Sequence, residues 1–115
     1  MSGHILQVGY YPTLNETRVE ILHKAGYRVM SVLGNDSAMA LDKSAFASID
    51  LVVVGASAPQ STRAEMLGWL KTHYPNIPVL MLQYREWETF SGADAAVPAD
   101  NPMLWLQVVA GLLGS

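Results

Sequence analysis

The sequence predicts a single α/β domain built on an open parallel sheet. Three observations predict it. Strand-like apolar runs alternate with helix-like stretches five times along 115 residues, the pattern of βαβ units joined by right-handed crossovers. Leu51-Val52-Val53-Val54 is a continuous apolar, largely β-branched run, as expected of a strand buried on both faces. The chain length is close to the commonest size of one domain and sufficient to bury a core. A sheet of this kind holds its ligand site at the carboxyl ends of its strands. The two runs expected at its centre, Ile5–Val8 and Leu51–Val54, end in Gly9-Tyr10-Tyr11-Pro12 and Gly55-Ala56-Ser57-Ala58-Pro59. Neither end carries an acid.

Each element has its own local signal. Ile5–Val8 is the first strand. Pro12 and the capping-box pattern Thr13-Leu14-Asn15-Glu16 open the first helix; its Leu14, Ile21, Leu22 and Ala25 share one face, and Gly26 stops it. Tyr27–Leu33, rich in β-formers, is the second strand. Asp36 or Ser37 caps a second helix with Ala38, Leu41 and Ala45 at helical spacing. After Leu51–Val54, Pro59 and a second box, Thr62-Arg63-Ala64-Glu65, start a helix with Met66, Leu67 and Leu70 inward. Pro78–Leu82 and Ala93–Val97 are the fourth and fifth strands. Only eight residues separate Gln83 from Gly92, room for one helical turn or a loop. Asn101 caps the last helix, Pro102–Leu113, with Pro102 at its first position. No repeat, low-complexity tract or linker divides the chain, so residues 1–115 read as one domain.

Composition excludes several classes of function. A net charge of −3 without a basic run gives no electrostatic footprint for nucleic acid. The absence of cysteine excludes disulfides and a thiolate zinc site, and His4, His23 and His73 lack metal-ligand spacing. Met1-Ser2-Gly3-His4 leads into an apolar run too short for a leader or a membrane span, so the expected location is the cytoplasm. Ser57 has no paired His and Asp at a motif spacing. Asp36, Asp94 and Asp100 read as caps or loop residues. No metal, cofactor or enzymatic activity is expected.

Order and spacing carry a family resemblance. Ile5-Leu6-Gln7-Val8-Gly9-Tyr10-Tyr11-Pro12, then Ala25-Gly26-Tyr27, then Asp50–Gly55 with Pro59 four residues on, then Pro78–Leu82, then Gly92-Ala93-Asp94 follow one another along the whole chain. In this the chain resembles the receiver domain of bacterial two-component response regulators. The resemblance implies a flavodoxin-like, three-layer α/β/α fold with a five-stranded parallel sheet in the order 2-1-3-4-5 and the fourth helix shortened. It also implies a place for a phosphorylation site. In receivers, acids ending the first strand hold Mg²⁺ and an aspartate ending the third accepts the phosphoryl group; here Gly9, Tyr10 and Gly55 stand at those positions. Gln83 replaces the hydroxyl residue after the fourth strand, Ala99 the lysine after the fifth, and Ala96 the switch aromatic. Glycine and tyrosine offer neither the oxygen ligands of a hard cation nor a nucleophile.

The implied protein is therefore a degenerate, phosphorylation-independent receiver acting as a protein-interaction module in signalling. A second reading is a small-molecule sensor in which Tyr10, Tyr84 and Trp87 line a pocket for an aromatic ligand at the strand ends. The last helix carries no charge. Trp105, Val108, Val109 and Leu112 form one face, and Met103, Leu106, Ala110 and Leu113 another. A helix apolar nearly all round must be covered on more than one side. The second face is expected to meet a protein partner or a second copy, and neither nucleic acid nor membrane is an expected partner.

Overall fold

A computed structural model describes residues 3–114; Met1, Ser2 and Ser115, at the ends of the expected domain, lie outside the described residues. Five strands, β1 (His4–Gly9), β2 (Arg28–Leu33), β3 (Leu51–Val54), β4 (Val79–Gln83) and β5 (Ala95–Pro98), form one parallel sheet in the order β2-β1-β3-β4-β5. Around it lie α1 (Pro12–Lys24), α2 (Asn35–Met39), α3 (Lys43–Ala47), α4 (Gln60–His73) and α5 (Pro102–Leu112). The expected fold class and strand order are those observed.

Alternation along the central strands creates two apolar layers. Leu6, Val8, Val52 and Val54 pack with Phe46, Met66, Leu67 and Leu70 on one side. Ile5, Leu51 and Val53 pack with Leu22, Trp105 and Val109 on the other. Every residue of β3 is buried, which is why that strand reads as an unbroken apolar run. β1 pairs with both β2 and β3, so the chain reverses its progress across the sheet at the carboxyl ends of β1 and β3. That is where a site is expected.

Several local expectations are corrected. Neither capping box forms: α1 has Tyr11 at its N-cap and Pro12 in its first turn, and α4 has Pro59 at its N-cap, both without a side-chain cap. The fixed φ of proline supplies the helical start instead, and this places Thr13 and Arg63 inside their helices. The inward residues of α1 are Asn15, Arg18 and Leu22, whereas Leu14 is 42% exposed and Ala25 is exposed. The single helix expected after β2 is two short ones. Its start is set by Gly34 at φ 86°, a conformation cheap only for glycine. The side-chain cap comes later, from Asp42, which accepts the Ala45 N–H at 2.9 Å, and not from Asp36 or Ser37.

Between β4 and β5 the described residues form no helix at all, only a loop. A buried ion pair holds it. The Arg63 guanidinium donates through Nη1 to Glu88 Oε1 at 3.0 Å and through Nη2 to Oε2, with both side chains almost fully buried. Arg63 Nε also donates to the Ala58 carbonyl at 2.8 Å, while Glu88 Oε1 accepts the Tyr84 N–H at 2.8 Å. The guanidinium further lies 5.3 Å from the centre of the Phe90 ring. At the far end of the loop, Asp94 takes the Lys71 ammonium and the Val79 N–H, each at 2.7 Å.

Removing one partner of such a pair strands the other charge. Glu88→Ala is expected to destabilise the fold by about 3–5 kcal/mol. Hydrogen bonding from Arg63 holds the Glu88 carboxyl down at about 2, against an ordinary 4.5. Its stabilising contribution is thus complete above pH 4.5 and lost as the pH falls through about 2. Chemical denaturation of wild type and Glu88→Gln checks this, the difference between them shrinking across that acid window.

Candidate functional site

The carboxyl ends of β1 and β3 are occupied by side chains from α1. A Cβ at Gly9 would sit 2.7 Å from Asn15 Cβ and collide with the Asn15 amide. A Cβ at Gly55 would sit 3.1 Å from Arg18 Nη1 and 3.3 Å from the Val8 carbonyl oxygen. Glycine at 9 is the condition for Asn15 to lie where it does, whereas a Cβ at 55 would need only a small shift of the Arg18 guanidinium and the neighbouring strand. Arg18 is nine-tenths buried, and burial lowers the pKa of its guanidinium from the ordinary value. Among the described residues it has no hydrogen-bond or ion-pair partner. It lines a cavity of about 220 Å³ together with Ser57, Gln83, Tyr84, Ala99 and Asp100.

Tyr10 turns to the opposite side of the sheet. Its hydroxyl donates to Asn35 Oδ1 at 2.6 Å, and Asn35 Nδ2 donates to the Thr62 carbonyl at 2.8 Å. The chain of two bonds ties the end of β1 to α2 and α4. Burial pushes the Tyr10 hydroxyl up to about 12, an effect that the nearby Arg63 charge opposes, so it stays a neutral donor.

The other expected site residues are placed as follows. Gln83 Nε2 donates to the Glu88 carbonyl at 2.9 Å, and the Gln83 carbonyl accepts the Ala99 N–H at 3.0 Å. Ala96 is exposed on β5. Tyr84, 67% exposed, lines a cleft of about 540 Å³ with Ser57, Pro59, Gln60, Arg63 and Glu88. Neither Tyr10 nor Trp87 is in its wall: Tyr10 is drawn away by Asn35, and Trp87 is 72% exposed. Neither this cleft nor the cavity at Arg18 gathers the three aromatic residues expected to share a pocket. On α5, Met103 is 77% exposed, whereas Leu106 and Leu113 pack in part against the core and Ala110 is half-buried. The band expected to be open is covered in part from within.

A magnesium ion does not fit these residues. Positions 9, 10 and 55 offer no carboxylate, and a guanidinium faces position 55. Among the described residues no cluster of three or more His, Asp or Glu gathers to hold a metal. Asn15, Arg18, Asn35, Arg63 and Glu88, which shape the site, are the residues that sequence reasoning missed as such. For the two arginines a signal existed: Arg18 lies four residues before Leu22, and Arg63 three, four and seven before Met66, Leu67 and Leu70, so helical spacing puts both on an inward face.

No protein-family profile matches the chain, and no curated protein sequence matches it. Solved structures do. A CheY-like response regulator receiver domain from Methanospirillum hungatei superposes with a TM-score of 0.81 at 20% identity, over 99% of this chain and 95% of that one. The response regulator TrrA of Thermotoga maritima, solved in complex with the histidine kinase ThkA, gives 0.81 at 23%, over 96% and 98%. The Vibrio cholerae chemotaxis protein CheY4 gives 0.78 at 22%, over 97% and 99%. The fold is that of a receiver domain. What sits at its carboxyl edge is a pair of glycines overlaid by an asparagine and an arginine.

Truncating the aromatic that closes this edge tests its packing. Tyr10→Ala is expected to cost about 2–4 kcal/mol. Tyr10→Phe, which leaves the Asn35 carbonyl oxygen unpaired, should cost about 1–3 kcal/mol. Because the hydroxyl's folded pKa is raised from 10.0 to about 12, its contribution is complete below pH 10.0 and is lost as the pH rises through about 12. Urea denaturation measures the first two effects, and the alkaline tyrosinate absorbance of wild type against Tyr10→Phe the third.

Proposed function

We infer that this chain is a phosphorylation-independent, receiver-like module of signal transduction, one domain that binds protein partners and is not an enzyme. The observation that carries this reading is the Arg18 guanidinium beside Gly55. It faces a position with no side chain where phosphoryl transfer needs a carboxylate nucleophile, and Gly9 and Tyr10 offer no carboxylate to hold a divalent cation. The reading is supported by the likeness in fold to receiver domains over nearly the whole chain. A cytoplasmic location belongs to the same proposal; among the described residues no helix is long and apolar enough to cross a membrane.

The test is the intact mass of the protein after incubation with acetyl phosphate and Mg²⁺. No phosphoryl group is added in the proposed account, and a stable gain of one on an aspartate overturns it. Gly55→Asp stays inert under the same conditions. Its new carboxylate meets Arg18, while positions 9 and 10 still give no metal ligand.

The likeness to TrrA, whose structure includes a histidine kinase, supports a protein partner. The uncharged α5, with Met103 projecting from it, is the face we assign to that partner or to a second copy of this chain. Met103→Glu, at an exposed position, leaves folding intact and removes any association that wild type shows in light scattering over a concentration series. An association unchanged by this variant removes α5 from the reading.

A further inference from the structure

We propose that the cavity at Arg18 binds the carboxylate or phosphate group of a small organic anion whose remainder lies along Tyr84 in the adjoining cleft. This goes beyond the reading above, since a protein inert to phosphoryl donors and binding no small molecule would satisfy that reading and fail this one.

Four observations carry it. Arg18 is nine-tenths buried, yet no described residue gives it a hydrogen bond or a direct ion pair. A mostly buried cation without a partner is costly, and Arg63, more deeply buried at the same edge of the sheet, shows what a satisfied one looks like here. Secondly, Arg18 opens onto free space of about 220 Å³. That is well beyond the space one water needs and admits a group the size of a phosphate or a carboxylate. Thirdly, Ala56 and Ser57 line the same cavity, and their N–H groups make no hydrogen bond with any described residue. Finally, the cavity shares Ala56, Ser57 and Tyr84 with the cleft of about 540 Å³, so an anion seated at Arg18 can extend an attached ring against an exposed aromatic wall.

The chemistry selects the ligand class. A guanidinium presents parallel N–H donors whose fork matches two oxygens of a carboxylate or phosphate. The other charged groups at the site are accounted for. Arg63 and Glu88 neutralise each other in the cleft wall, Arg85 lies 4.7 Å from the centre of the Tyr84 ring, and Asp100, exposed and without a hydrogen-bond or ion-pair partner among the described residues, stands in the cavity wall. Asp100 opposes an anion, so its neutralisation tightens binding.

The experiment is an NMR titration of the ¹⁵N-labelled full chain with benzoate, phenyl phosphate and phenol, which share a ring and differ in the group offered to Arg18. The Ala56 and Ser57 amides and the Arg18 side-chain Nε–H are followed. Saturable shifts are expected with benzoate or phenyl phosphate, whichever oxyanion the cavity prefers, and not with neutral phenol. Arg18→Met should weaken binding by about ten-fold or more, the scale of a hydrogen bond to a charged group. Asp100→Asn should strengthen it, and as an exposed substitution it reads out even if Arg18→Met fails to fold. Equal shifts with phenol, no saturable shift with either anion, undiminished binding in Arg18→Met or unchanged affinity in Asp100→Asn each overturns the proposal.

Discussion

Two side chains of α1 reach over the carboxyl edge of the sheet, and the rest of the site follows from the space they take. Asn15 closes over Gly9 and Arg18 over Gly55, at distances that leave a Cβ at either position in collision or at unusually tight contact. Glycine at 9 is therefore a packing requirement, and at 55 it leaves the Arg18 guanidinium its place. A carboxylate placed at position 55 must displace or pair with a guanidinium. The strands that carry the edge are held by apolar burial of Ile5, Leu6 and Val8 in β1 and of Leu51–Val54 in β3, the buried Gln7 of β1 being the polar exception.

The same edge shows two buried arginines in opposite states. Arg63 spends its guanidinium on Glu88 and its Nε on Ala58, and through Glu88 it gathers the N–H groups of Tyr84 and Arg85. That network stands where a crossover helix would otherwise cover β4 and β5. Its specificity is geometric, since a bidentate pair fixes distance and direction where an apolar contact fixes only proximity. Among the described residues Arg18 makes no such bonds. A structure that can satisfy one buried guanidinium so fully leaves the other facing a cavity, and the contrast marks the Arg18 side of the edge as the place where something else belongs.

The fold was legible because its main signals are hydrophobic and local. The apolar runs of β1, β3 and β4, the Asn101-Pro102 start of α5 and Gly26 at φ 99° all read directly as strands, cap and stop. The capping boxes misled because proline at the helix start competes with them: Pro12 and Pro59 set α1 and α4 earlier than Thr13 and Thr62, and the residues that the boxes claimed became interior ones. The site was legible only as a set of absences at Gly9, Tyr10 and Gly55. What surrounds those positions comes in part from α1, a few residues on from β1, and in part from α2, far away in sequence, and no local pattern states that Asn35 will meet Tyr10 or that Glu88 will meet Arg63. The spacing of Arg18 and Arg63 did place them inward, but charge at an inward position is outweighed in a pattern reading by the apolar residues beside it.

Magnesium binding is the most direct measure of the charge that the carboxyl edge presents. With the guanidinium of Arg18 beside position 55 and no carboxylate at 9, 10 or 55, the amide resonances of Gly9, Gly55 and Gln83 are predicted to show no saturable shift as Mg²⁺ is added, only the gradual drift that any acidic surface gives. A saturable shift confined to those three residues would mean that the edge still holds a divalent cation, and would contradict the account.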